Sequence, residues 1–134
     1  MTEVHWISAD TTYSIPKSQP GLLIVNEQRY SLMWTRTQQP RTPFKVLSRP
    51  TDDELKAGFQ SVVFNGGTYR LDKDLVTTAQ IAKVPGFEGG DQYYRYSVRG
   101  DTLELTMYDE TYPDGTKPEW AGIWETRLVF HRAR

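Results

Sequence analysis

The second half of the chain consists of short β-prone runs separated by turn residues, and this pattern constrains the fold more than any other feature. The runs cover residues 68–72, 75–84, 92–98, 102–108 and 122–132. Several links between them are very short, such as Lys73–Asp74 and Arg99–Gly100–Asp101. Neighbouring strands joined by such short links pair antiparallel. The pattern therefore predicts an antiparallel sheet built from strands that follow one another in the chain.

The first half of the chain adds three further strands. Residues 3–8, 22–25 and 28–35 are rich in β-branched, aromatic and aliphatic side chains. Asn26 and Glu27 separate the last two runs, which is the spacing of a tight hairpin. Residues 9–20 and 36–50 are predicted to be loops. The second loop contains Pro40, Pro43 and Pro50, and proline is not compatible with a central strand.

One amphipathic helix is predicted over about residues 51–64. Thr51 and Glu54 have the spacing of a capping box, in which each side chain accepts a hydrogen bond from the backbone N–H of the other residue. The helical repeat predicts an apolar face made of Leu55, Phe59, Val62 and Val63. Asn65–Gly66–Gly67 is expected to end the helix, because glycine adopts the left-handed conformation of a C-cap.

About eight strands and one helix, in up-and-down order, predict a mainly β fold. We expect an eight-stranded antiparallel barrel, because closure of the sheet removes its edges. The helix is expected to cover one end of that barrel. A chain of 134 residues is predicted to form a single domain, residues 1–134.

Charge and cysteine content exclude several classes of function. The 16 basic and 17 acidic residues nearly balance, which argues against the basic face that nucleic acids and anionic membranes require. The absence of cysteine excludes disulfides, thiol nucleophiles and Cys-ligated metals. The first residues do not have the pattern of a signal peptide, and no window is apolar enough to cross a bilayer. We therefore expect a cytoplasmic protein, or a secreted one if a leader has been removed.

Short segments along the chain carry a family resemblance. They are Pro20–Gly21–Leu22–Leu23–Ile24, Tyr30–Ser31, Pro40–Arg41, Thr51, Gly67–Thr68–Tyr69, Ala82–Lys83–Val84–Pro85, Gly100–Asp101–Thr102–Leu103 and Arg132. In this order they resemble the lipocalin-like β-barrel domains of bacteria, many of which have no assigned activity. The resemblance implies a barrel but no particular function, because this fold serves many functions. It also implies a cation–π contact between Trp6 and Arg132 at the closed end of the barrel.

Alternation along the predicted strands indicates which residues face the interior. They are Tyr30, Leu32, Trp34, Tyr94, Tyr96, Val98, Leu103, Leu105, Met107, Trp124, Thr126, Leu128 and Phe130. An interior of this composition suits a ligand cavity and a filled barrel equally, so both interpretations stay open. If the barrel holds a ligand, the expected binding residues are Tyr30, Trp34, Arg41, Phe59, Tyr69, Tyr94, Tyr96 and Trp124.

Few side chains suit metal binding or catalysis. His5 and His131 lie on the first and last predicted strands, but no third ligand is evident, so we expect no metal and no cofactor. Asp109, Glu110 and Asp114 cluster near the last loop, and such clusters are usually solvated turns. The sequence motifs of serine hydrolases, zinc proteases and nucleotide-binding loops are missing.

Three functions are compatible with these observations. The first is binding of a small hydrophobic or amphipathic ligand inside the barrel. The second is a cofactor-free isomerase, cyclase or hydrolase, for which Arg41, Tyr69 and Asp109 are the candidate residues. The third is a structural or protein-interaction module with a filled barrel, for which a homodimer is a candidate assembly. No nucleic-acid partner and no membrane partner is expected.

Overall fold

The computed structural model of the chain describes residues 1–17 and 19–134, and these residues form nine strands and one helix. The strands are β1 (Glu3–Ile7), β2 (Thr12–Ile15), β3 (Gly21–Val25), β4 (Arg29–Thr35), β5 (Val62–Leu71), β6 (Leu75–Ala82), β7 (Asp91–Arg99), β8 (Thr102–Thr111) and β9 (Glu125–His131). The helix, α1 (Asp52–Gln60), lies between β4 and β5 in the chain.

The strands form one antiparallel sheet that curls into a half-barrel. Their order across the sheet is β2-β1-β9-β8-β7-β6-β5-β4-β3. The prediction of a mainly β, antiparallel fold with one helix is therefore confirmed. The prediction of eight strands is wrong, because residues 12–15 pair with β1 as β2 instead of forming a loop. Thr12, Tyr13 and Ile15 are β-prone, which suits a short strand at the edge of a sheet.

The core lies on the concave face and draws on both halves of the sheet. Its buried cluster consists of Val4, Tyr30, Leu32, Trp34, Tyr94, Leu105, Leu128 and Phe130. The ring centroids of Trp6 on β1 and Trp34 on β4 are 6.1 Å apart. Since these two strands are far apart in the sheet order, their contact requires the sheet to curl back on itself. Apart from Val4, every residue of this cluster was predicted to face the interior, and burial confirms those predictions. The predicted interior residues Tyr96 and Val98 are 43% and 65% exposed.

The predicted helix is too long at its C-terminal end. It stops at Gln60, and the predicted stripe residues Val62 and Val63 pair instead with Thr35 and Trp34 of β4. Asn65–Gly66–Gly67 does not end the helix but continues β5. Two adjacent β-branched residues favour a strand, where their stiff side chains pack well on a pleated surface.

The helix also does not act as a lid held by an apolar face. Leu55 and Phe59 are 50% and 47% exposed, and no helix residue is buried. The predicted capping box at Thr51 and Glu54 is confirmed. The Glu54 carboxylate also accepts a hydrogen bond from the backbone N–H of Lys45 at 2.7 Å, so the preceding loop helps to hold the helix.

Lys83, at the end of β6, supplies the positive charge that the end of the helix lacks. The last turn of α1 contains no basic residue. The Lys83 ammonium donates to the carbonyl oxygens of Phe59 and Val62, at 2.8 and 2.6 Å. It also lies 4.4 Å from the centroid of the Phe59 ring. These contacts satisfy backbone oxygens and complement the negative end of the helix dipole.

The expected contact between Trp6 and Arg132 is wrong. Trp6 lies opposite Thr126 on β9, and Arg132 follows Thr126 by six residues. At about 3.3 Å per residue, the two positions are roughly 20 Å apart along the strand. Arg132 is exposed, and Trp6 packs against Trp34 instead.

Gly67 allows β5 to run unusually close to β6. The register between these strands shifts at Gly66 and Gly67, so Gln80 is left without a partner and forms a β-bulge. A Cβ atom on Gly67 would lie 2.0 Å from the carbonyl oxygen of Thr78 and 2.7 Å from the backbone nitrogen of Gln80. Since both are backbone atoms in a paired strand, only glycine fits at this position.

We expect Gly67→Ala to lower the free energy of unfolding by about 2–3 kcal/mol, because the added methyl group forces β5 and β6 apart. Urea denaturation followed by circular dichroism measures this change. Gly66→Ala is the matched control. Its Cβ atom would lie 3.2 Å from the carbonyl oxygen of Tyr30, so a smaller loss is expected. Equal losses in the two variants would contradict this explanation.

Candidate functional site

The concave face of the sheet holds a small cavity, which we name the apolar cavity. Its volume is about 190 Å³. It is lined by Leu23, Val25, Tyr30, Leu32, Tyr69, Leu71, Leu75, Thr77, Tyr94, Tyr96, Leu103 and Leu105. Val25, Leu71 and Tyr96 are 51%, 58% and 43% exposed, so they form the opening to solvent. The interior is therefore neither fully hollow nor fully packed, since Leu32 and Leu105 belong to the buried cluster as well.

A layer of hydrogen-bonded side chains lies behind the apolar cavity, and we name it the polar layer. The Tyr30 hydroxyl donates to Oδ1 of Asn65 at 2.8 Å, and the Tyr94 hydroxyl donates to Oε1 of Gln92 at 2.8 Å. The Asn65 amide also donates to Oε1 of Gln92, at 3.3 Å. All four side chains are buried. Burial raises the pKa of both phenols, so both remain protonated donors at neutral pH.

Thr77 completes the polar wall of the apolar cavity. It is only 4% exposed and lies opposite Tyr69 on β5 and Gln92 on β7. Its hydroxyl lies close enough to the two buried phenols to lower their pKa values slightly. Within residues 1–17 and 19–134, however, its Oγ1 atom makes no hydrogen bond of ordinary geometry. Apart from this hydroxyl and the phenols, the lining of the apolar cavity consists of leucine and valine side chains.

A second, larger cavity lies on the other side of the polar layer, and we name it the polar cavity. Its volume is about 580 Å³. Asn65 and Gln92 form part of its wall, and Phe87 and Tyr112 contribute an aromatic pair in edge-to-face contact, with ring centroids 6.2 Å apart. Among the described residues, two basic and two acidic side chains also line it: Arg36, Lys83, Glu110 and Asp114.

Glu110 is the acidic side chain that this arrangement singles out. One of its carboxylate oxygens accepts a hydrogen bond from the Gln92 amide at 2.7 Å. The side chain is partly buried, and this burial raises its pKa. The hydrogen bond from Gln92 opposes the rise, and the nearby charge of Asp109 adds to it. A partly buried carboxylate of raised pKa suits either a general base or the binding of a cationic group.

Four of the eight predicted ligand-binding residues lie around the apolar cavity. Tyr30, Tyr69, Tyr94 and Tyr96 all line it. Tyr69 is fixed at the rim, where its hydroxyl donates to the carbonyl oxygen of Asn26 at 2.6 Å. Whether these residues bind a ligand stays a prediction.

The other four predicted residues lie elsewhere. Trp34 is buried against Trp6, and Phe59 lies on the exposed side of the helix beneath the Lys83 ammonium. Trp124 stacks on Tyr13 of β2, with ring centroids 6.0 Å apart. The guanidinium of Arg41 donates to the Ser61 hydroxyl at 2.8 Å and is exposed, so it ties the loop to the end of the helix. None of these four lines the apolar cavity.

The sequence placed Glu110 in an acidic cluster that was interpreted as a solvated turn, and it did not indicate the hydrogen bonds of the polar layer. Gln92 has a detectable signal, because it alternates with Tyr94 and Tyr96 on the inward face of β7. The inward direction of Glu110 has no such signal. Strict alternation along β8 after Leu105 and Met107 predicts that Asp109 faces inward and Glu110 outward. A β-bulge in the β7–β8 pairing reverses this: Tyr94 pairs with Met107, Tyr93 with Asp109 and Gln92 with Glu110.

The remaining chemical candidates are engaged in structural contacts. Asp109 forms a salt bridge with Lys117. Asp114 accepts hydrogen bonds from Thr116, which lower its pKa and are typical of a turn. His5 contacts the side chains of Glu3 and Ser14, at 2.8 and 2.7 Å.

Neither a metal site nor a membrane-spanning helix is found in the part of the chain that the structure describes. Among those residues, no group of three or more His, Cys, Asp or Glu side chains is arranged to hold a metal ion. In the same residues, no helix has both the length and the apolar character needed to cross a bilayer.

Glu110→Gln is expected to change how stability depends on pH. Because the folded pKa is raised above its usual value of 4.5, the folded protein keeps the proton at pH values where the unfolded chain has lost it. Glu110 therefore lowers the free energy of unfolding as pH rises from about 4.5 through the folded pKa. Without this group, the variant should gain stability over the wild type as pH rises through that window.

Urea denaturation between about pH 4 and pH 8 measures the difference. Glu119→Gln, at an exposed position in the loop after β8, is the matched control and should follow the wild type. A constant difference between Glu110→Gln and the wild type over the whole range would show that burial does not perturb Glu110.

Comparisons with known proteins bear on the whole fold. The model of the family described as lipocalin-like domain matches residues 2–133, nearly the entire chain. No curated protein and no solved structure matches the sequence. The predicted resemblance to lipocalin-like domains is thereby confirmed, and it agrees with the curled antiparallel sheet. The chain therefore belongs to the lipocalin-like domain family.

Proposed function

We propose that this protein binds a small, largely hydrophobic ligand in the apolar cavity. The observation that carries the proposal is an opening on the concave face that leads to a wall of leucine, valine and tyrosine side chains. Ligand sites are typically concave and mostly apolar, with few polar groups. An empty apolar cavity loses the dispersion contacts that its wall would otherwise make, and a ligand restores them.

The volume of the cavity limits the buried part of the ligand. Dry, apolar cavities of about 150 Å³ bind benzene. A cavity of about 190 Å³ therefore suits one six-membered ring with a short substituent, or a short alkyl chain. The opening beside Val25, Leu71 and Tyr96 allows a longer molecule to extend into solvent.

The rival hypothesis, a cofactor-free enzyme acting in this cavity, has weaker support. Catalysis requires an ionisable group beside the substrate. Among the residues that the structure describes, the only ionisable ones that line the apolar cavity are tyrosines. Burial raises the pKa of Tyr30 and Tyr94, so these phenols are poor bases at neutral pH. The chemistry of the wall therefore favours binding over catalysis.

Leu75→Trp is expected to weaken binding of toluene, a probe of suitable size, by at least about tenfold. Leu75 points into the cavity from the start of β6, so an indole ring there occupies ligand space. Isothermal titration calorimetry measures the affinity. Ile24→Trp is the matched control, because Ile24 is 55% exposed on the outer face of the edge strand β3.

The control variant should bind toluene as the wild type does, and thermal denaturation should show that both variants fold. The proposal fails if the wild type binds neither toluene nor a short alkane. It also fails if both substitutions reduce the affinity equally.

A further inference from the structure

The polar cavity has the features of a binding site of its own. Its volume of about 580 Å³ lies within the usual range for small-molecule sites, roughly 300–1,000 Å³. Hydrocarbon side chains such as Val63 and Val84 form much of its wall, together with the Phe87–Tyr112 aromatic pair. A few polar groups converge on it from the sheet. The polar layer separates it from the apolar cavity.

The acidic group of this cavity is held in place but is not neutralised. The Gln92 amide fixes one oxygen of the Glu110 carboxylate. The other oxygen makes no hydrogen bond within the described residues, and none of the salt bridges found among them involves Glu110. A carboxylate partly removed from water is costly unless a cation accompanies it. A cationic ligand would supply that missing partner.

The two basic side chains of the cavity do not cancel this preference. The Lys83 ammonium donates hydrogen bonds to the backbone oxygens of Phe59 and Val62. These contacts hold its charge at the end of the helix. Arg36 is exposed, and solvent screens an exposed charge more than a partly buried one. Asp114, at the same cavity, adds a second negative charge.

Aromatic rings reinforce the preference for a cation. The rings of Phe87 and Tyr112 lie in the wall of the same cavity as Glu110. Burial raises the pKa of Tyr112, and the charges of Glu110 and then Glu119 add to the rise, so Glu110 lies near this ring. Aromatic faces attract ammonium groups, and a nearby carboxylate strengthens that attraction.

We propose that the polar cavity is a second ligand site, which binds a small organic amine in its ammonium form with Glu110 as the anionic contact. The hydrocarbon part of the amine packs against Val63, Val84 and the aromatic pair. One ammonium hydrogen is donated to the free oxygen of the Glu110 carboxylate. This site is independent of the ligand proposed for the apolar cavity.

Three probes of nearly equal shape test the charge preference. They are phenethylamine, the neutral 2-phenylethanol and the anionic 3-phenylpropanoate. Isothermal titration calorimetry at neutral pH should give the tightest binding for the amine, about tenfold weaker binding for the alcohol, and the weakest for the carboxylate. Amide signals of Phe87 and Tyr112 in NMR spectra should shift on addition of the amine.

Three variants test whether the amine contacts the Glu110 carboxylate. Glu110→Gln should lower the affinity for phenethylamine about tenfold, to the level of the alcohol, and should leave the affinity for the alcohol unchanged. Glu27→Gln, which removes an exposed carboxylate in the turn between β3 and β4, should leave both affinities unchanged. Leu75→Trp, which obstructs only the apolar cavity, should not affect amine binding.

Each contrary result has a distinct meaning. Tighter binding of 3-phenylpropanoate overturns the inference in favour of Arg36 and Lys83 as an anion site. Unchanged amine affinity in Glu110→Gln overturns the role of the carboxylate. Loss of amine binding in Leu75→Trp assigns the amine to the apolar cavity, which removes the second site and leaves the proposed function intact. Failure of toluene to bind overturns the proposed function of the apolar cavity. It does not affect the amine site, which the amine titrations test separately.

Discussion

The side-chain amide of Gln92 determines how the interior of this half-barrel is organised. It accepts hydrogen bonds from Tyr94 and Asn65, and it donates one to Glu110. These bonds join β5, β7 and β8 across the concave face. A buried amide without such partners would cost about 1–3 kcal/mol for each unsatisfied group. The strands that supply the partners are therefore held at one fixed relative position, and the interior is divided into an apolar part and a polar part.

Two irregularities in the backbone give the sheet this interior. At Gly67 the absence of a side chain lets β5 approach the backbone of β6 at a bulge. At Tyr93 and Tyr94 a second bulge shifts the register of β7 against β8. Bulges increase the local twist and bend the strand, which helps a sheet to curl. The second bulge also determines which carboxylate faces inward, so the chemistry of the polar cavity depends on backbone geometry as much as on residue type.

The sequence predicted the features that depend on local pattern. Alternation identified Tyr30, Leu32 and Trp34 as interior residues, and the Thr51–Glu54 spacing identified the start of the helix. These predictions succeed because side-chain direction in a strand and capping at a helix end are local properties.

The sequence did not predict the features that depend on partners distant in the chain. The sequence pattern at Val62 and Val63 is compatible with the apolar face of a helix and with a strand. In the structure these residues pair with β4 and form a strand. Arg41 was predicted to bind a ligand, but its position near Ser61 depends on how a long loop folds against the helix. The inward direction of Glu110 depends on a bulge that no short-range pattern indicates.

The attachment of the helix has a consequence for local stability. Without a buried residue, α1 is held by its capping box, by hydrogen bonds from the preceding loop and by the Lys83 ammonium. Opening it exposes little apolar surface that is not already exposed, so it requires far less free energy than unfolding the sheet. We therefore expect the helix to open locally more readily than the sheet unfolds. Because Lys83 bonds to the end of α1 and also lines the polar cavity, opening of the helix would remove the Phe59 contact of this ammonium and leave its bond to Val62 of β5.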